Sequence, residues 1–194
     1  MEKEKILNIP TTIELEQELH RERYKSRYKK ILKNTIYALL IVVAISVIAA
    51  TFIFPVLEIY GESMNPNLTE GDIVLCIKKS KFESGDIIAF YYNNRILVKR
   101  VIATSSDWVN IDASGNVYVN DELLDEKYIE EKTLGESDIK YPYQVPEGAY
   151  FVLGDKRETS VDSRRSLIGT ISSEEIIGKV IFKVWPLKRI GSTK

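Results

Sequence analysis

From Asn34 to Leu57 the chain carries no charged side chain. Thr35 to Phe54 is dense in Ile, Val, Leu and Ala, and it covers the ~20 residues that a helix needs to cross a bilayer. The run is apolar on every face, so it lacks the polar side that a core helix of a soluble domain turns to water. A secretory leader is the rival reading, with Ala49-Ala50 as a cleavage signal. The long polar stretch before the run and the length of the run itself favour an uncleaved anchor. The chain therefore divides into a basic segment at residues 1–34, an anchor at 35–56 and a domain at 57–194.

Arg21, Arg23, Lys25, Arg27, Lys29, Lys30 and Lys33 crowd the side before the run, and no Lys or Arg stands between Pro55 and Ile77. Basic residues beside a spanning helix stay in the cytoplasm. This places residues 1–34 on the cytoplasmic side of the cell membrane and the domain on its outer side, in a single pass. The segment Thr12 to Lys33 reads as a charged helix whose basic end can rest on anionic headgroups. No basic surface with interleaved aromatics points to nucleic acid. One cysteine, Cys76, makes no intrachain disulfide, and one Cys with one His gives no zinc set, so no metal is expected.

Beyond Pro55 the texture changes to short apolar runs broken by turns. Ile73–Ile77 follows Gly71-Asp72, Ile87–Tyr92 follows Gly85-Asp86, and Asn93-Asn94 turns the chain back into Arg95–Ala103. Trp108–Ile111 and Val117–Val119 flank a Gly-containing turn and read as a hairpin. Tyr150–Leu153 and Val180–Val184 are further strands, and Ser172–Ile177 reads as one short helix capped by Ser172 or Ser173. The domain is expected to be mostly β, with a polar, acidic inserted lobe at about 105–143.

Ser63 lies nine residues beyond Phe54, in Gly61-Glu62-Ser63-Met64-Asn65-Pro66. Gly61 and Pro66 suggest a tight, fixed turn, which suits a serine nucleophile whose own backbone N–H faces the developing oxyanion. A serine needs a base, and the sole histidine, His20, lies on the other side of the apolar run. The strand Leu97-Val98-Lys99-Arg100-Val101 offers a lysine instead. Burial among apolar side chains penalises an ammonium and lowers its pKa, which is what a lysine base requires. A third segment, Gly154 to Arg164, is densely polar and follows a hydrophobic strand directly.

These blocks together resemble the bacterial type I signal peptidases, membrane-bound serine/lysine proteases, in their Gram-positive-type, single-anchor form. The resemblance runs through Ser63-Met64-Asn65-Pro66-Asn67-Leu68, Gly71-Asp72-Ile73-Val74, Lys99-Arg100-Val101-Ile102-Ala103 and Gly154 to Arg164. It implies Ser63 as nucleophile, Lys99 as general base, Ser160 as the serine that hydrogen-bonds and orients the lysine, and Asp162 with Arg164 as a structural ion pair. Some members carry an oxyanion-hole serine where this chain has Gly61. Asn67 stands where threonine is usual, and Lys156 where asparagine is usual. The family cleaves after small residues, and the resemblance puts Leu57, Ile59, Met64, Leu68, Val74, Ile88 and Val98 at the walls of shallow substrate pockets; each serves equally as core. It implies no cofactor. The implied partners are the signal peptides of exported preproteins, the lipid bilayer and, transiently, the export machinery. Two rivals stand beside this reading: a serine/lysine autoprotease on a related β fold, and a catalytically inactive, membrane-tethered β-domain that binds exported chains.

Overall fold

The structure, a computed structural model, describes residues 11–193. The chain divides into two units at the Ala50/Thr51 junction. Helix α1 (Thr12–Ile53) is the principal element of the first. It opens on a capping box: the Thr11 hydroxyl accepts the Glu14 N–H, and the Glu14 carboxylate accepts the Thr11 N–H at 2.9 Å, which occupies donors that a helix start leaves free. Through its apolar part, the Thr35 and Ser46 hydroxyls donate to the carbonyls of Ile31 and Val42, one turn back. Leu39, Leu40, Ile41, Val42, Ile45 and Ile48 are all exposed, so this helix is long and apolar enough to cross a membrane.

The basic segment and the apolar run lie on one continuous helix, since no Gly or Pro interrupts Thr12–Ile53. The helix stops at Ile53, short of the expected residue 56. Phe54 precedes Pro55, and a residue before proline is pushed out of the helical region. The first ten residues of the expected basic segment lie outside the described residues.

Among the described residues, the second unit is built from twelve strands. They are β1 (Val56–Glu58), β2 (Ile73–Ile77), β3 (Ile87–Tyr92), β4 (Arg95–Ala103), β5 (Trp108–Ile111), β6 (Val117–Val119), β7 (Glu122–Leu123), β8 (Tyr143–Gln144), β9 (Ala149–Leu153), β10 (Ile171–Ser172), β11 (Ile176–Trp185) and β12 (Gly191–Ser192). The main sheet has the order β1-β2-β11-β3-β4-β9-β10, with β12 against β11. The second sheet, β7-β6-β5-β8, is the inserted lobe between β4 and β9.

The expected helix at Ser172–Ile177 is reduced to a single 3-10 turn, Ser173–Glu175, with Ser172 as its N-cap in a full capping box. Ile176 already belongs to β11, which begins four residues before the expected Val180. The alternating apolar residues Ile176, Gly178 and Val180 suit a strand, and pairing with β3 and β2 on both sides takes up its backbone groups.

Burial separates three clusters. One joins Ile102, Phe151 and Leu153 to Val109, Ile111 and Val117, and so packs the lobe onto the main sheet. A second gathers Ile88, Phe90, Val101, Val152 and Ile171. The third, Ile59, Met64, Leu68, Val74, Ala89 and Val180, lies beneath the loop that carries Ser63.

Candidate active site

Ser63 sits in a loop that leaves the sheet after β1 and rejoins it at β2. Ile59 and Asp72 close its base: Ile59 N–H donates to Asp72 O at 2.8 Å, and Gly71 N–H to Ile59 O at 2.9 Å. Met64 and Leu68 are 2% and 0% exposed and pin the loop to the core. Gly61 has φ +80 with open space where a Cβ would stand. Conformation therefore favours glycine there, and the space beside it stays clear. Ser63 O accepts Lys156 N–H at 3.0 Å, while Ser63 N–H donates to no group among the described residues.

Lys99 stands mid-strand in β4, opposite Ile88 of β3. It is 4% exposed. Its Nζ donates to Ser63 Oγ at 2.6 Å, and this is its one side-chain hydrogen bond among the described residues. Burial pushes the Lys99 pKa down to about 8, against the upward pull of the Asp162 and Asp155 carboxylates and with help from Arg164. No carboxylate pairs with Lys99 directly, so desolvation prevails.

The two residues share the floor of a groove of about 740 Å³, lined by Val56–Gly61, Ser63, Met64 and Arg95–Lys99. Four of the seven expected wall positions, Leu57, Ile59, Met64 and Val98, line it. Leu68, Val74 and Ile88 do not. Each is 0% exposed; Leu68 and Val74 fill the cluster beneath the loop, and Ile88 belongs to the separate cluster with Phe90 and Val101. Leu68 points inward from the loop, and Val74 and Ile88 from β2 and β3, into packed interior away from the groove.

The segment after β9 wraps behind the pair. Asp162 and Arg164 form a bidentate, fully buried ion pair at 2.8 and 2.9 Å. Asp162 also accepts Gly154 N–H at 3.0 Å, and Arg164 donates to the carbonyls of Leu134, Arg157 and Ser160. The pair thus ties this segment to the lobe. Gly154 is needed for close approach: a Cβ there would stand 2.6 Å from Ser63 O and would collide with Ser160 Oγ.

Ser160 corrects an expectation. It is 5% exposed, but its hydroxyl has no hydrogen-bond partner and does not reach Lys99. Its hydroxyl lies against Gly154 instead, and Lys99 Nζ is turned to Ser63.

Sequence reasoning missed three buried ion pairs. Arg100 grips Asp155 with two bonds at 2.9 and 2.8 Å, donates to Gly85 O and lies over the Tyr128 ring at 4.0 Å. Asn67 also donates to Asp155 at 2.8 Å, which links the Ser63 loop to the same carboxylate. Arg157 pairs with Glu126 from the lobe, and Lys183 with Asp72 at 2.8 Å. At the surface, Lys156 pairs with Glu62 beside the nucleophile turn. The signal for Asp155 was its place straight after the buried strand β9; nothing local marked the other partners.

The family model described as signal peptidase, peptidase S26, matches residues 32–185. The chain belongs to this family of serine endopeptidases. Signal peptidase IB of Staphylococcus aureus (strain Mu50) is 34% identical over 176 residues, which cover 80% of this chain and 90% of that protein. Thylakoidal processing peptidase 1 of Arabidopsis thaliana is 33% identical over 153 residues, 70% of this chain; the match spans 43% of the plant protein's length. A crystal structure of a signal peptidase I from Enterococcus faecalis aligns at a TM-score of 0.43 and 30% identity, covering 52% of this chain and 97% of that one.

Proposed function

We propose that this chain is a membrane-anchored signal peptidase that removes signal peptides from exported preproteins through a Ser63/Lys99 dyad and an acyl-enzyme. The observation that carries this reading is the 2.6 Å hydrogen bond between a buried lysine and the serine hydroxyl on a groove floor. With a pKa of about 8, about one-tenth of Lys99 is neutral at pH 7, against about one in three thousand for an ordinary lysine. Neutral Lys99 takes the Ser63 proton along the line of that hydrogen bond. Ser63 Oγ then attacks the scissile carbonyl, and its backbone N–H, which is unengaged, receives the oxyanion. The Lys99 ammonium gives its proton to the leaving amine. Lys99, neutral again, activates the water that releases the signal peptide.

Substrate choice follows from the groove. Leu57, Ile59, Met64 and Val98 give its walls an apolar character, which suits an extended chain with small side chains one and three positions before the cleaved bond. Helix α1 supplies the anchor, with the basic segment in the cytoplasm and the catalytic unit outside. Nine residues from the run to Ser63 reach at most ~30 Å, so Ser63 works near the outer membrane face, where a spanning signal peptide ends.

The test is to incubate the purified protein in lipid vesicles with a preprotein and sequence the new N-terminus. Cleavage after a small residue is expected. Ser63→Ala and Lys99→Ala should each lower the rate at least about a thousandfold. Full activity in either variant would sink the mechanism.

A further inference from the structure

The loop that carries Ser63 is held from the front by Lys156, whose N–H meets Ser63 O. From behind it is held by the end of the chain. The Asp72 carboxylate, at the base of the loop, is 1% exposed and accepts Thr69 N–H at 2.9 Å. Lys183, from β11, is 6% exposed and straddles the loop: its Nζ lies 2.8 Å from Asp72 and donates to Asn67 O at 2.9 Å. Arg189, from the 3-10 turn Leu187–Arg189, does the same from outside. It reaches Asp72 at 3.5 Å, the Thr69 hydroxyl, and Pro66 O at 3.3 Å. Two cations from one terminal segment therefore bind a single carboxylate and three successive parts of the loop, at Pro66, Asn67 and Thr69.

From this arrangement we infer that Lys183 and Arg189 are positioning residues for catalysis, buckling the loop through Asp72 so that Ser63 Oγ stays within reach of Lys99. The inference rests on the Ser63/Lys99 reading above. Its physical basis is that a nucleophile must be held in near-attack geometry, and displacements on the order of 1 Å cost on the order of a hundredfold. Loops gain such precision only from the groups that hold them. None of the bonds formed by Lys183 or Arg189 touches the groove, so they act on the turn and not on the substrate.

The full-length protein in lipid vesicles is assayed as wild type, as Arg189→Ala and Arg189→Lys, and as the double variant Asp72→Asn/Lys183→Met. The double variant removes both buried charges and so avoids stranding one of them. The readouts are kcat, KM for a preprotein, folded fraction, and the position of the rising limb of kcat/KM with pH. That limb, taken per folded enzyme with the folded fraction measured at each pH, reports Lys99, whose charged neighbours are Asp155, Asp162 and Arg164. We expect Arg189→Ala and the double variant to lower kcat at least tenfold with KM within about twofold, and to move the limb upward by half a pH unit or more as water reaches Lys99. Arg189→Lys should recover part of the lost rate. An unmoved limb, with kcat falling only in proportion to the folded fraction, would overturn the inference. Ser63→Ala runs alongside: activity retained there defeats the catalytic reading itself, whereas activity lost there with an unmoved limb in the buckle variants defeats only this inference.

Discussion

At the scale of residues, Lys99 carries opposite demands from stability and function. Its ordinary pKa of 10.5 falls to about 8 in the folded protein, chiefly through burial. Below pH 8 the lysine is charged in both the folded and unfolded states, and the full cost of burying the ammonium weighs on the fold. Between about 8 and 10.5 the unfolded chain binds the proton and the folded one does not, so stability rises with pH through that window. Lys99→Met is therefore expected to abolish cleavage yet stabilise the protein at pH 7 by up to about 3 kcal/mol. That gain should shrink as pH rises towards 10.5, and thermal melts across pH check it. A variant that loses stability at pH 7, or gains equally at all pH values, would contradict this account. The same pKa predicts that kcat/KM rises with pH around 8. The pairing of Ser63 with Lys99 was legible because each sits in a short contiguous motif whose chemistry is local. Ser160 was not, because its contact depends on which way one hydroxyl turns in a loop.

At the scale of elements, the close approach of the segment after β9 to the Ser63 loop depends on Gly154. A methyl group there would meet Ser63 O and the Ser160 side chain, and these are backbone and buried atoms that cannot swing aside. Gly154→Ala should lower activity at least about tenfold and destabilise the protein by about 1–3 kcal/mol. Preprotein cleavage and chemical denaturation measure the two effects. Strands β2 to β6, β9 and the second half of β11 were legible from apolar runs and turn signals such as Asn93-Asn94, and the lobe from its polar composition. Val74 and Ile88 show where that legibility ended. Alternation says which residues share a face, but not whether that face meets the groove or the core; the long-range pairing of β11 between β2 and β3 decides it. The ion pairs Arg100–Asp155 and Arg157–Glu126 join segments 55 and 31 residues apart, a distance over which local patterning carries no information.

At the scale of the whole molecule, a continuous helix with a membrane-length apolar half and a β unit with an apolar groove imply a division of labour. On the proposed function, the helix anchors the enzyme in the bilayer that its substrates' signal peptides span, and the β unit performs the chemistry. The proposed orientation rests on the basic cluster before the apolar run and the bias of Lys and Arg towards the cytoplasm. Cys76 is fully buried, so single cysteines introduced elsewhere can be read against a silent background. In intact cells a membrane-impermeant maleimide should label Ser114→Cys, at an exposed turn of the lobe, and should leave Ser26→Cys unlabelled until the membrane is opened. The reverse pattern would overturn the orientation.

The central claim is that Ser63, activated by Lys99, becomes acylated by the signal peptide. Quenching a reaction with excess preprotein in acid during turnover and mapping the enzyme by mass spectrometry tests this most directly. The account predicts the mass of the signal peptide acyl group on the peptide that contains Ser63, and its absence in Lys99→Ala. Cleavage without any adduct at Ser63, or an adduct on another residue, would contradict it.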